Sequence, residues 1–83
     1  MIQIVVLQRG WVTVGHVTRE GQEFRIRGRC IRNWKETSLA ELAAIGPASK
    51  CELEPMATEH VHELTVIKRI DCNEAAWTSA LEG

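Results

Sequence analysis

Apolar residues recur along this chain with two different rhythms, and the changes of rhythm divide it into elements. Ile2 to Leu7 is a nearly unbroken apolar run, the pattern of a central strand covered on both faces. Arg9-Gly10 punctuates it. From Trp11 to Thr18 the period is two: Val12, Val14 and His16 share one side, and Trp11, Thr13, Gly15 and Val17 the other. Gly15 inside this strand marks a bend or a close approach of backbones. Glu20-Gly21-Gln22 is a hairpin turn, and the alternation resumes at Phe24. There Phe24, Ile26, Gly28 and Cys30 form an apolar face expected to lie on a core, while Arg25, Arg27 and Arg29 occupy the other. The first half thus reads as a three-stranded antiparallel meander.

The second half mixes the two rhythms. Ser38-Leu39-Ala40-Glu41 fits a capping box, in which the Ser38 hydroxyl accepts from the Glu41 N–H. Leu39, Leu42, Ala43 and Ile45 supply an apolar face, Gly46 suits the turn that ends a helix, and Pro47 forbids continuation. A helix of about two turns cannot stand alone in water, so it is expected to pack on the sheet. Lys50 to Glu54 reads as a short strand ended by Pro55, and Met56-Ala57-Thr58 as a connection. His60 to Ile70 follows neither period, but its β-branched residues favour strand, broken near Glu63. Asp71 or Asn73 caps a last helix whose stripe is Ala76, Trp77, Ala80 and Leu81. The expectation is a single domain over 1–83, of α+β class. It has a small, curved, mainly antiparallel sheet or partial barrel of about five strands, a short helix at 39–45 and a C-terminal helix at 73–81.

Composition narrows the classes. At 45% hydrophobic the chain is globular in character, and 83 residues bury only a modest core. Met1 to Leu7 lacks the basic flank and cleavage site of a signal peptide, and no apolar run approaches a membrane span, so a cytoplasmic location with no membrane partner is expected. Cys30, Cys51 and Cys72 are odd in number and widely spaced, which speaks against a disulfide framework or a closed zinc site. They read as reduced, buried small hydrophobes. His60 and His62 share a strand face, but edge histidines are commoner than a metal pair, so no metal and no cofactor is expected. No nucleophile elbow, phosphate loop, zinc-protease helix or dinucleotide turn is present, and the reading is not that of an enzyme.

Charge is unevenly placed although the total is −1. Residues 1–35 carry six Arg and one Lys against Glu20 and Glu23, a balance of +5; residues 36–83 carry Lys50, Lys68 and Arg69 against eight Glu and one Asp, a balance of −6. Halves of opposite sign can pair internally, or with another copy of the chain, and a homo-oligomer, a dimer first of all, is expected. Non-specific nucleic-acid binding is not, because it needs a net basic surface.

The arginine strand is the one stretch with ligand chemistry. Guanidiniums at alternate positions lie roughly 7 Å apart and fit phosphate or carboxylate bidentately. The candidate ligand site is therefore Arg25, Arg27, Arg29 and Arg32, with Trp34 folded back as a stacking surface for a planar group. The competing arrangement has Glu52, Glu54 or Glu63 on neighbouring strands neutralising the arginines while Trp34 packs under the short helix.

The pattern R-x-I-x-x-W at Arg29 to Trp34, followed by S-L-x-x-L-A-x-x-G at Ser38 to Gly46, resembles a family of small uncharacterised proteins of tailed bacteriophages. The similarity takes in G-W-V-x-V-G from Gly10, the Arg19-Glu20-Gly21 turn and Ile70-Asp71-Cys72, roughly residues 5 to 75; Asn33 stands where the family often has a second aromatic. The resemblance implies a phage accessory protein in the cytoplasm of an infected bacterium, and brings no active site with it. Two roles follow as expectations. One is binding, in counter-defence, of a host protein or an anionic, nucleotide-like ligand; the other is a structural or assembly subunit of the phage particle.

Overall fold

The computed structural model describes residues 1–34, 37–47 and 51–82. Six strands and two helices follow in the order β1 (Ile2–Leu7), β2 (Val12–Glu20), β3 (Glu23–Asn33), α1 (Leu39–Ile45), β4 (Glu52–Pro55), β5 (Glu59–His62), β6 (Val66–Asp71) and α2 (Glu74–Glu82). The fold is α+β, as the two rhythms predict. Every strand pairing is antiparallel, in the order β4-β3-β2-β1-β6, with β5 also on β3. The sheet is open and not a closed barrel, and the sixth strand arises because the residues after Pro55 pair in two pieces. β4 and β5 both lie along the outer edge of β3, joined through Arg29↔Pro55 and Ile26↔Glu59. Met56, Ala57 and Thr58 stand against only Arg27 and Gly28, so this edge bulges by one residue. Lys50, expected to begin β4, lies outside the described residues.

β1 lies inside the sheet, between β2 and β6, and is covered on both faces: Ile2, Ile4 and Val5 are fully buried. On one face Ile2, Ile4, Val12, Val14 and Ile31 meet both helices through Leu42, Ala43, Trp77 and Leu81. On the other face Val5, Leu7, Val17, Phe24 and Ile26 form a smaller cluster with Met56, Val61 and Val66, and no helix covers it. Curvature takes the helix's place. The Arg69 guanidinium on β6 lies 4.5 Å from the centroid of the Phe24 ring on β3, three strands away. In a flat sheet those strands would be about 14 Å apart. The face curls so that long side chains of β6 and β3 meet across it, and β5 is tied at that end by the Glu63 N–H donating to the Gln22 carbonyl.

This overturns the expectation that the apolar side of β3 carries the main core. Phe24 and Ile26 fill the small concave cluster, whereas Ile31, in phase with the arginines, reaches the core beneath the helices. The strand is long enough for one face to be buried at one end and open at the other.

The caps are as predicted. The Ser38 hydroxyl accepts from the Glu41 N–H at 3.1 Å, and Asn73 Oδ1 accepts from the Ala75 N–H at 3.2 Å. Gly46 takes a positive φ of 93° and sends its N–H to the Leu42 carbonyl at 2.9 Å. Trp77 is fully buried and its indole N–H donates to the same carbonyl at 2.8 Å, locking α2 onto α1. Ile45 is 65% exposed, however, and does not belong to the buried face.

Candidate functional site

The five residues singled out from the sequence do not form one site. Arg25, Arg27 and Arg29 lie on the helix-covered face of the sheet, in the half that the helices leave open. Their partners on β2 are Thr18, His16 and Val14. Arg27 is exposed and Arg25 half-buried, and neither has an ion-pair partner among the described residues. Arg29 is half-buried and sends one guanidinium N–H to the Gly28 carbonyl at 3.2 Å. Of the acids expected to neutralise this row, Glu54 pairs with Arg32 at 3.2 Å and Glu63 with Arg19.

Arg32, two residues beyond Cys30, comes out on the opposite face. Trp34 packs against the main core, and Thr37 donates to the Trp34 carbonyl from its N–H (3.1 Å) and its hydroxyl (2.8 Å). The two are nevertheless brought together. They line a shallow cleft of about 360 Å³ at the end of the sheet, and the other walls are Arg9, Trp11 and Cys30.

The β1–β2 connection builds the near wall. The Leu7 N–H donates to the Trp11 carbonyl at 2.8 Å, closing a tight loop through Gln8, Arg9 and Gly10. Arg9 holds a φ of 68°, a left-handed conformation that disfavours a residue with a Cβ by about 1 kcal/mol or more. The loop aims a guanidinium with no ion-pair partner among the described residues along the cleft, beside an indole that is 56% exposed. The far wall is Arg32. Its pairing with Glu54 is between two half-exposed groups, so it is weak and leaves most of the guanidinium's donors available.

Two arginines and two tryptophans around one concavity are the parts needed for a planar anion: flat faces for a ring, forks for its charge. Glu54 tempers the field without cancelling it. Cys30 faces the cleft as a neutral thiol at neutral pH, because burial raises its pKa, Glu54 and Glu59 raise it further, and Arg32 opposes them only in part. Among the described residues no three His, Cys, Asp or Glu side chains converge as a metal site would require. His62 uses its Nδ1 to accept from the Leu64 N–H at 3.1 Å, and His60 lies beside Glu20, so the pair is occupied in turn and edge contacts.

Sequence reasoning passed over Arg9 and Trp11. The signal was present in the first turn, where a charged residue precedes glycine and a tryptophan begins a strand. What was lacking was the register that sets Trp11 beside Arg32.

Comparison of the chain with protein-family models, curated proteins and solved structures returns no match. No helix among the described residues is long and apolar enough to cross a membrane. The site's meaning rests on its geometry.

Proposed function

We propose that this protein acts by binding, and that its ligand is a small planar anion of nucleotide-like character held in the cleft of Arg9, Trp11, Arg32 and Trp34. The observation that carries the reading is the exposed Trp11 indole sharing a cleft with two guanidiniums, of which that of Arg9 has no ion-pair partner among the described residues and stands on a backbone of positive φ. Stacking of a base on an aromatic ring is worth about 1–3 kcal/mol, and each phosphate–guanidinium fork adds charge-assisted hydrogen bonds. Capture of a nucleotide signal during phage infection is the biological form of this reading, and its support is the sequence resemblance alone. A structural subunit of a phage particle is the alternative role.

Titration calorimetry with mono- and cyclic nucleotides tests the proposal. Binding should be weakened about 5- to 150-fold by Trp11→Ala, from the stacking energy, and reduced by Arg9→Ala, with the fold unchanged by circular dichroism. Arg27→Ala, on the other face, should leave affinity unchanged. Absence of heat with the wild-type protein across the panel would sink the reading.

A further inference from the structure

Beyond Trp11, on the concave face, the cleft adjoins a second cavity of about 310 Å³. Leu7, Thr13, Cys30, Met56 and Glu59 line it together with Trp11, so Trp11 and Cys30 are shared walls. This space is the unfilled end of the small cluster of Val5, Leu7, Val17, Phe24 and Ile26. The curl of the sheet makes it, and Met56, on the bulge between β4 and β5, forms its rim.

We infer that the ligand is an amphiphile: its anionic head lies at Arg9 and Arg32, and an aliphatic arm crosses Trp11 into the cavity beside Leu7 and Met56. The inference rests on the anion-binding part of the reading above, the guanidiniums of Arg9 and Arg32, and sets an aliphatic arm against the indole where that reading sets a ring. Two features support it. The two adjoining concavities differ in chemistry, with Arg9, which has no ion-pair partner among the described residues, at one end and mainly apolar walls at the other. An exposed indole at the junction is an apolar surface that an arm would remove from water. A purely apolar occupant would leave Arg9 unanswered, and a bare phosphate would leave the cavity and the indole wet. Glu59, on the apolar cavity's wall, disfavours a second anionic group there and so sets the polarity of the ligand: head toward Arg9, arm toward Met56.

The test uses inorganic phosphate, adenosine monophosphate and the butyl, hexyl and octyl phosphate monoesters, each kept monomeric as judged by light scattering. Affinity should rise by about fourfold per methylene along the alkyl series, the factor that burial of a CH₂ gives. Met56→Asp, which places a charge on the cavity rim, should flatten that rise to under twofold per methylene while leaving adenosine monophosphate affinity unchanged. Met56→Gln is the milder variant if Met56→Asp does not fold. Arg9→Ala should weaken every member of the series by a common factor. A flat series in the wild-type protein, with adenosine monophosphate still bound, would overturn the amphiphile and leave the planar-anion reading standing. A rising series indifferent to Arg9→Ala would overturn it too, since the chain would then be held without its head. If neither alkyl phosphates nor nucleotides bind, the anion reading falls and the inference with it.

Discussion

Gly15 and Gly28 face each other across β2 and β3 at a separation that leaves no room for a side chain. A Cβ on Gly28 would stand 2.0 Å from the Val14 carbonyl oxygen and 2.5 Å from the Gly15 Cα; one on Gly15 would stand 2.5 Å from the Arg27 carbonyl oxygen. All of these are backbone atoms held in a hydrogen-bonded ladder, so neither strand can yield without losing its neighbours. Gly28→Ala should therefore destabilise the protein by more than about 3 kcal/mol, read from denaturant unfolding. A loss below about 1 kcal/mol would show that the strands part locally at little expense. Gly15 was legible as a close approach from its isolation in an alternating strand. Its partner was not, because one residue of slip at the hairpin would set it against Arg27 or Arg29 instead. The arginines teach the same lesson. Alternation says which side chains share a face, but not which part of that face the helices cover.

At the scale of elements, the helices were the most legible part of the chain, since Ser38 and Asn73 announce their starts and Gly46-Pro47 ends the first. Ile45 was misread for a geometric reason. At 3.6 residues per turn it lies about 110° round from the middle of the arc that Leu39, Leu42 and Ala43 bury, and a seven-residue helix has no further turn to bring it back. Among the described residues two hydrogen bonds join the helices, one from the Trp77 indole to the Leu42 carbonyl and one from the Asn73 N–H to the Ala43 carbonyl at 2.8 Å. Trp77→Phe removes the N–H that reaches the Leu42 carbonyl and leaves a gap in the core, although the Gly46 N–H still satisfies that oxygen. The expected loss is about 1–2 kcal/mol, against about 3–5 kcal/mol for Trp77→Ala, both measured by chemical denaturation. Equal losses for the two variants would mean that α2 detaches in either case.

For the whole molecule, the three thiols make stability depend on alkaline pH. Burial raises the pKa of Cys30, Cys51 and Cys72, and pushes Cys72 up to about 11 from an ordinary value of 9.0. Between those two values the folded chain keeps a proton that the unfolded chain has lost. Stability is therefore fully present below about pH 9 and declines as pH rises toward about 11. Unfolding midpoints at increasing pH should fall through that window, and fall less steeply in Cys72→Ala. Identical slopes for the two proteins would remove Cys72 from the account. The sheet's topology sets a different limit, on the order in which the chain can be built. β1 is hydrogen-bonded along one side by β6, which is synthesised after four other strands and α1, from Gln3↔Asp71 to Leu7↔Val66. While the nascent chain is still short of residue 66, β1 has one bare edge and only α1 of its two covering helices over Ile2 and Ile4. The finished core cannot form on the ribosome until β6 and α2 have been made, and a message cut short before β6 would yield a sticky ribbon in place of a smaller protein.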